Sequence, residues 1–186
     1  ETPGRVAIVS DIHGNLEALR IVLADLQAER CDRIVCLGDM VGGGEGNDEV
    51  VPLLRDEQAV TVLGNHDEYH DLALAEDVLE YLAGLPETIT EGDAVFTHIS
   101  PRAKKRKVNS TYEAWSVFEE VECRIVFVGH VHIPLVYGQR CEEAVSATVH
   151  PFEFNVPYSL DPSDRYLICV GAVGYPRDGI NKIRYG

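Results

Sequence analysis

The chain has 186 residues, of which 45% are hydrophobic and 25% charged, a composition that is ordinary for a globular domain and excludes long disorder and a small disulfide scaffold. Sixteen basic and 31 acidic residues give a formal net charge of −15. We therefore expect neither duplex nucleic acid nor a membrane surface as a partner, because affinity for both depends on basic residues. No apolar run approaches the roughly 18–20 residues that a membrane-spanning helix requires.

Strands and helices alternate through the first half of the chain. Val6–Val9 is an apolar run typical of a buried strand, and Leu16, Leu19, Leu23 and Leu26 then recur at helical spacing. The predicted strands of this half are Val6–Val9, Arg33–Leu37 and Ala59–Leu63, and the predicted helices between and after them are Asn15–Glu29, Asp48–Arg55 and Asp71–Ala83. This βαβαβα order indicates parallel strands covered by helices.

The second half is richer in strands and has one predicted helix, around Tyr112–Glu119. The predicted strands are Ala94–Thr97, Ile125–Val128, Leu135–Tyr137, Ala144–Val149 and Arg165–Val170. Because no linker, repeat or low-complexity tract divides the chain, we interpret residues 1–186 as a single α/β domain with a mixed second sheet. Ile180–Tyr185 has the pattern of a further strand, and we expect this C-terminal strand to be truncated at Gly186.

The five cysteines are odd in number and include no Cys-x-x-Cys pair. Cys36, Cys123 and Cys169 lie in or beside apolar runs, where a free thiol behaves as a small hydrophobic side chain. We therefore expect free thiols and a cytoplasmic location, since a reducing compartment keeps cysteines unpaired.

Histidines mark the ends of the predicted strands. Five of the seven directly follow a strand, each beside Gly, Asp or Asn: His13, His66, His98, His130 and His132. Because ligands of α/β sheets bind at the carboxyl ends of strands, these segments are expected to converge in one cleft. His70 and His150 have no such motif around them, and we interpret both as structural.

The polar residues at these strand ends offer imidazole nitrogens, carboxylates and one amide oxygen, without a thiolate. In Asp11-x-His13 and in His130-x-His132, two side chains leave an extended segment on the same side and can reach neighbouring positions. This donor set suits divalent Mn²⁺ first, with Fe, Zn²⁺, Ni²⁺ or Co²⁺ as alternatives, and argues against a structural zinc site.

In this order, the motifs Asp-x-His, Gly-Asp, Gly-Asn-His-Asp, a lone His and Gly-His-x-His resemble those of the calcineurin-like metallophosphoesterases. The resemblance extends from Val6 to Asp178. The flanking segments Gly38–Gly42, Thr97–Pro101 and Gly129–Pro134 are similar to the small single-domain bacterial and archaeal phosphodiesterase branch. The resemblance implies a four-layer α/β fold, in which two mixed β-sheets pack as a sandwich flanked by helices.

The resemblance also implies a dinuclear metal centre. Its ligands, carried over motif by motif, are Asp11, His13 and His132 for one divalent ion, Asn65, His98 and His130 for the other, and Asp39 as the bridge. Two metals about 3.5–4 Å apart can generate a bridging hydroxide that attacks a phosphoryl group in line. Two divalent ions, two carboxylates and that hydroxide leave a local charge of about +1, which suits a phosphate ester.

The same resemblance implies that His66 approaches the substrate without binding metal, stabilises the developing charge and protonates the leaving oxygen. Asp67 is a candidate for orienting His66 or a metal ligand. Arg177 lies in a Pro-Arg-Asp-Gly turn that is either structural or in contact with phosphate, and we keep it as a candidate substrate residue. We therefore expect a metal-dependent phosphoric ester hydrolase whose partner is a small-molecule phosphoester, either a phosphodiester or a small nucleotide.

Two alternatives stay open. A Ser/Thr protein phosphatase would use the same metals, but those members read Gly-Asp-x-Val-Asp-Arg-Gly where this chain has Gly38-Asp-Met-Val-Gly-Gly-Gly44. A non-catalytic scaffold of the same fold has an altered catalytic histidine position, whereas Gly64-Asn-His-Asp67 is intact here. The basic stretch Arg102–Lys107 predicts either a solvated face or a substrate-recruiting loop, and Gly42–Gly46 predicts a flexible turn.

Overall fold

The computed structural model describes residues 4–141 and 145–186. Two β-sheets lie at its centre, and helices cover their outer faces. The expected α/β architecture of two packed sheets flanked by helices is confirmed. None of the helices in the described ranges is long and apolar enough to cross a membrane.

The first sheet contains three parallel strands in the order β1-β2-β3. Its strands are β1 Val6–Val9, β2 Arg33–Cys36 and β3 Val60–Thr61. The helices of this half are α1 Leu16–Ala28, α2 Asn47–Asp56, α3 Asn65–Glu68 and α4 Glu76–Ala83. Parallel pairing aligns the carboxyl ends of all three strands along one edge of the sheet.

The second sheet has six strands in the order β4-β5-β6-β9-β7-β8. The strands are β4 Thr88–Glu91, β5 Ala94–Thr97, β6 Ile125–Val128, β7 Leu135–Gln139, β8 Thr148–Val149 and β9 Arg165–Cys169, and helix α5 spans Thr111–Glu120. Strands β5, β6 and β9 are parallel, whereas β4, β7 and β8 each pair antiparallel with a neighbour. The sheet is therefore mixed, as expected.

Alternating residues of each strand fill different layers of the core. Ala7 and Val9 pack with the helices α1, α2 and α4, while Ile8 points to the layer between the two sheets. In β6, Val126 and Val128 pack beneath α5, and Phe127 contacts the intersheet layer. This period of two is what a strand buried on both faces requires.

Helix α1 shows how the sequence sets an element that positions the site. Its buried residues Ala18, Leu19, Val22 and Leu26 form one apolar stripe. Asn15 caps the helix, because its Oδ1 accepts a hydrogen bond from the Ala18 amide at 3.1 Å. The cap fixes where the loop from β1 ends.

The structure differs from the sequence prediction at several elements. The helix predicted from Asp71 begins at Glu76, and the predicted strand Ala59–Leu63 pairs only over Val60–Thr61. Strand β4 was not predicted, because it is an edge strand whose residues are mostly exposed. Of the predicted strand Ala144–Val149, only Thr148–Val149 is a strand, and Ala144 lies outside the described residues.

The predicted strand at Ile180–Tyr185 is wrong, since no strand is assigned there. The segment instead approaches β1, where Gly186 and Ile8 exchange backbone hydrogen bonds of 2.7 and 3.0 Å. The Arg184 amide bonds instead to the Ala172 carbonyl, so the backbone hydrogen bonds of this segment are divided between β1 and the residues after β9.

Candidate metal centre

The carboxyl ends of strands from both sheets meet at one place. Asp11 and His13 follow β1, Asp39 follows β2 and Asn65 follows β3, while His98 follows β5 and His130 and His132 follow β6. Backbone hydrogen bonds join these loops, from the Asp11 amide to the Gly38 carbonyl at 3.0 Å and from the His13 amide to the Asp39 carbonyl at 2.9 Å. All seven residues are thus held in one cleft, as the positions of the histidines predicted.

The backbone at this cleft is strained. Nine described residues other than glycine have a positive φ, and five of them carry side chains of the cleft: Asp11, His13, Asp39, His130 and His132, with φ between 52° and 66°. Each such conformation costs about 1–3 kcal/mol and persists only where the surroundings enforce it. The five side chains are therefore aimed inward at a cost in stability.

The first donor group consists of Asp11, His13, Asp39 and His132. One ligand atom of each lies within 4.8 Å of those of the others, and all four residues are buried. Nε2 of His132 lies 3.0 Å from Oδ1 of Asp11 and 3.2 Å from Nε2 of His13. Two carboxylates and two imidazoles at this spacing could hold one divalent ion.

The second donor group consists of Asp39, His98 and His130, again within 4.8 Å of one another. Asn65 completes it, because its Oδ1 lies 2.8 Å from Nδ1 of His130 and 3.1 Å from Nε2 of His98. Asp39 belongs to both groups.

Oδ2 of Asp39 connects the two groups. It lies 3.2 Å from Nε2 of His98 and 3.6 Å from Nε2 of His13. This oxygen is buried, yet none of the described residues gives it an aligned hydrogen bond. A buried polar atom without a partner costs free energy, and a cation between the two groups would satisfy it. The residues present therefore fit a metal.

The cleft shifts the pKa of its own groups in the metal-free protein. Burial alone would raise the pKa of Asp39, but His98 beside it lowers that pKa to about 2. Burial alone would lower the pKa of His98, but the Asp39 carboxylate, with a contribution from Asp11, raises it to about 9. The two side chains therefore form a carboxylate–imidazolium pair at neutral pH.

The other shifts favour groups that are ready to bind metal. Burial alone would raise the pKa of Asp11, but the contact with His132 lowers it overall. Burial lowers the pKa of both His13 and His130, so these rings are neutral at pH 7. Neutral imidazoles and ionised carboxylates are the forms that coordinate cations.

Backbone carbonyls orient three of the imidazole rings. Nδ1 of His13 contacts the Gly42 carbonyl at 2.6 Å, Nδ1 of His98 the Leu37 carbonyl at 2.7 Å, and Nδ1 of His132 the Tyr175 carbonyl at 2.5 Å. Each contact is satisfied by a proton on Nδ1, which leaves Nε2 facing the donor cluster.

His66 belongs to neither donor group. It is exposed, and its ring centroid lies 4.9 Å from that of His13, edge to face. Its amide donates a hydrogen bond of 2.8 Å to Oδ1 of Asp39, which fixes the residue at the rim of the cleft. The structure therefore places His66 beside the candidate metal ligands with its side chain accessible.

Asp67 is buried and accepts hydrogen bonds from backbone amides, not from the ring of His66. Its Oδ2 accepts from Asp39 at 2.8 Å and from Gly64 at 3.0 Å, and its Oδ1 accepts from Met40 at 2.8 Å. Of the two roles expected for Asp67, this geometry corresponds to positioning a candidate ligand, Asp39.

The remaining sequence candidates lie around the rim. Arg177 is exposed, with its Cζ 5.5 Å from the centroid of Tyr175, and its amide bonds to the His132 carbonyl at 3.1 Å. Away from the cleft, His150 bonds to the Tyr158 hydroxyl at 2.6 Å.

Sequence reasoning did not find two supporting residues. The Ser10 hydroxyl donates to Oδ2 of Asp11 at 2.6 Å, and Tyr175 supplies the carbonyl that orients His132. Gly129 is required because a Cβ there would lie 2.2 Å from the Ser10 oxygen. The position of Ser10 directly before Asp11 was a usable signal, whereas a carbonyl that comes from 43 residues away leaves none in the sequence.

Several known proteins are similar to this chain in sequence and in fold. The sequence model of the calcineurin-like phosphoesterase superfamily domain matches residues 5–182. The uncharacterized protein MJ0912 of Methanocaldococcus jannaschii is 34% identical over an alignment of 213 positions, gaps included, which covers 97% of this chain and 80% of that protein. The symmetrical bis(5'-nucleosyl)-tetraphosphatase of Sodalis glossinidius is 38% identical over 63 residues, which cover 32% of this chain and 22% of that protein.

A crystal structure of a metallophosphoesterase from Sphaerobacter thermophilus matches with a TM-score of 0.82 and 35% sequence identity. The match covers 99% of this chain and 82% of that one. The family match over nearly the whole chain agrees with the donor cluster at its strand ends. This chain belongs to the calcineurin-like phosphoesterase superfamily and is a metal-dependent phosphoester hydrolase.

Proposed function

We propose that this chain is a dinuclear phosphodiesterase that hydrolyses small phosphodiesters or nucleotides. The observation that carries the proposal is the position of Asp39 Oδ2, 3.2 Å from a nitrogen of one donor group and 3.6 Å from a nitrogen of the other. A buried carboxylate shared in this way is what two neighbouring cations need as a bridge.

The proposed ligands of the first ion are Asp11, His13 and His132, those of the second are Asn65, His98 and His130, and Asp39 contacts both. Nitrogen and oxygen donors without thiolate favour Mn²⁺, with Fe, Zn²⁺, Ni²⁺ and Co²⁺ as alternatives. When bound, such ions lower the pKa of water so that a nucleophile forms at neutral pH, and they polarise phosphoryl oxygens.

The charges of the cleft favour a phosphodiester. Two divalent ions against the carboxylates of Asp11 and Asp39 make the cleft positive inside a chain of net charge −15. With one hydroxide included, the local charge is about +1, which a singly charged diester neutralises. The remaining negative surface disfavours long polyanions.

His66 is the proposed proton donor and charge stabiliser. A Cβ on Gly42 would lie 2.9 Å from Nδ1 of His66, so this nitrogen faces the backbone of the glycine loop. Nε2 is then free to hold a proton toward the leaving oxygen, and the transfer allows the leaving group to depart as a neutral alcohol. Asp67 holds the loop that carries Asp39 and thereby fixes the distance between His66 and the cleft.

Dinucleoside polyphosphates are a second candidate substrate class. The observation that favours them is the local match to the symmetrical bis(5'-nucleosyl)-tetraphosphatase of Sodalis glossinidius. That match covers 32% of this chain. We therefore rank this class below phosphodiesters.

A phosphoester panel with added Mn²⁺ or with chelator tests the proposal. We expect metal-dependent turnover of bis(4-nitrophenyl) phosphate and of nucleotide diesters, and slower turnover of phosphomonoesters and phosphopeptides. Faster hydrolysis of a phosphopeptide would favour the protein-phosphatase alternative. No turnover of any ester by fully metallated protein would favour a scaffold role and contradict the proposal.

We also propose a cytoplasmic location, supported by the thiols. All five cysteines are free, and Cys36 and Cys169 are buried. Burial raises the pKa of Cys169 to about 12 and also raises that of Cys36, so both stay protonated and unreactive.

A further inference from the structure

A cavity of about 330 Å³ opens beside the second donor group. Asn65 and His98 line it next to the proposed metal, and Leu63 and Ile99 add apolar surface. A group bonded to a phosphate in the cleft would reach this space directly. The volume lies within the range of about 300–1,000 Å³ that is usual for small-molecule sites.

Tyr69 gives the cavity an open aromatic face. The residue is 74% exposed, and none of the ring or cation contacts within the described ranges involves it. Its amide donates to the Asn65 carbonyl at 2.9 Å, which fixes it one helical turn from that proposed ligand. The Glu68 carboxylate beside its hydroxyl raises the pKa of the phenol.

The charges that line the cavity disfavour a second phosphate. Apart from His98, which would be a neutral ligand of the proposed metal, they are the carboxylates of Glu68 and Glu87 and the ammonium of Lys105, which leave one net negative charge. Nζ of Lys105 lies 2.6 Å from the Glu87 carboxylate, so its charge is already neutralised. Two carboxylates accept hydrogen bonds from hydroxyl or amino groups and repel anions.

The basic stretch Arg102–Lys107 does not alter this charge balance. Arg102 pairs with Glu113 at 3.0 Å and with Glu120 at 2.8 Å, and Arg106 pairs with Glu113 at 3.7 Å. Lys105 is the member of the stretch that lines the cavity. The stretch is therefore largely a solvated, ion-paired face, and its contribution to the cleft is the contact with Glu87.

We infer that this cavity is the subsite for an uncharged nucleoside attached directly to the scissile phosphate. The base stacks on Tyr69, and sugar hydroxyl or base amino groups donate to Glu68 and Glu87. The inference rests on the proposed phosphodiesterase function and narrows its substrate class to nucleoside phosphodiesters. A polyphosphate chain would instead place a second phosphate beside these carboxylates.

The first test compares two esters with the same leaving group, thymidine 5′-(4-nitrophenyl) phosphate and methyl 4-nitrophenyl phosphate. We expect the metallated wild-type protein to have the higher kcat/KM on the nucleoside ester. Tyr69→Ala should lower the nucleoside-to-methyl ratio about tenfold, which is the scale of one base–aromatic stack. Tyr69→Phe should keep the ratio, because the ring remains. A wild-type ratio near one would overturn the inference.

Tyr112→Ala is the matched control, because Tyr112 is an exposed tyrosine, 67% accessible, on α5 outside the cavity. We expect it to leave the ratio unchanged. Glu87→Gln should raise the turnover of a dinucleoside tetraphosphate relative to that of the thymidine ester, since it removes one negative charge from the subsite. An unchanged relative rate would show that charge does not select the substrate there.

The second test does not depend on turnover. Saturation-transfer NMR with adenosine measures whether the cavity binds an uncharged nucleoside, with the metallated wild-type protein, Tyr69→Ala and Tyr112→Ala in parallel. We expect transfer to the base protons that is lost in Tyr69→Ala alone. Equal transfer in both variants, or none in the wild type, would overturn the subsite. Adenosine binding without hydrolysis of any ester would instead contradict the proposed function and leave the subsite standing.

Discussion

The two donor groups, which form the first and the second half of the candidate metal centre, differ in the negative charge that each contributes. The first group adds Asp11 to the shared Asp39, and all four of its residues are buried. The second group has no carboxylate besides Asp39, and His130 within it is only partly buried. We therefore expect the first half to bind its ion more tightly, because a divalent cation gains more from two carboxylates than from one.

The halves also differ in protonation: in the metal-free protein, the second half carries a proton that a cation must displace, and the first does not. His13 has a lowered pKa and is neutral at pH 7, whereas His98 is protonated because the Asp39 carboxylate raises its pKa to about 9. A cation that enters the second half must displace this proton. Burial and one shared carboxylate thus make two chemically similar donor groups unequal.

The largest expected effect follows from changing Asp39, the residue that both halves share. Asp39→Asn should weaken both ions and reduce Mn²⁺-dependent hydrolysis to the level seen with chelator. Metal content by mass spectrometry and turnover of bis(4-nitrophenyl) phosphate measure the two effects. Asp56→Asn, at an exposed carboxylate at the end of α2, is the control and should change neither. Full retention of one ion with substantial activity would show that the halves are independent.

A smaller effect is expected from His66, which lies outside both halves. His66→Ala should lower kcat by about 10²–10⁴, the usual span for general acid catalysis, and leave metal content unchanged. His130→Ala should lose the second ion and activity together. The His66→Ala defect should be smaller on a nitrophenyl ester than on an alkyl ester, because a good leaving group needs little protonation. Loss of metal in His66→Ala would place this residue among the ligands.

Ser10 provides a way to weaken the first half selectively. Its hydroxyl donates to Asp11 at 2.6 Å, and Asp11 belongs to the first donor group alone. Ser10→Ala should lower the affinity of the tighter site by about 10–100-fold, the usual effect of removing a partner that orients a ligand. Calorimetric titration with Mn²⁺ resolves the two sites. An equal loss at both sites would contradict the assignment.

The pH dependence of metal binding tests the second half. Because the pKa of His98 is raised to about 9, the affinity of this half should rise about tenfold per pH unit between pH 7 and 9 and then level off. Titrations in two buffers of different ionisation enthalpy should show release of one proton per second ion at pH 7.5. No proton release would mean that His98 is neutral in the metal-free protein.

The pair of Asp39 and His98 also predicts how the free energy of unfolding of the metal-free protein depends on pH. A raised pKa of His98 stabilises the fold fully below about pH 6.5, and this contribution is lost as the pH rises through about 9. The lowered pKa of Asp39 stabilises the fold above about pH 4, and that contribution is lost as the pH falls toward about 2.

The donor residues could be predicted from the sequence because each follows a strand directly. The signals were local: an apolar run, then Gly, Asp, Asn or His, as in Asp11-x-His13 and in Gly129–His132. Parallel pairing of such strands forces their ends together, so the cleft follows from the pattern. The alternation of Ala7, Ile8 and Val9 between two core layers has the same local origin.

What the sequence could not predict depends on contacts between distant residues. The carbonyl of Tyr175 that orients His132 and the pairing of Gly186 with Ile8 come from chain segments that the fold alone brings together. Edge strand β4 lacks an apolar pattern, since its residues are mostly exposed. The cavity beside Asn65 likewise combines residues 63–69 with Glu87 and Lys105, which no single motif contains.

The shared position of Asp39 is the central claim, and anomalous diffraction from crystals of the Mn²⁺-loaded protein tests it most directly. We predict two peaks at the manganese edge, one beside Asp11, His13 and His132 and the other beside Asn65, His98 and His130. Both ions should be coordinated by Asp39, and the peak in the second group should be the weaker at limiting metal. A single peak, or two peaks of which only one contacts Asp39, would contradict the account.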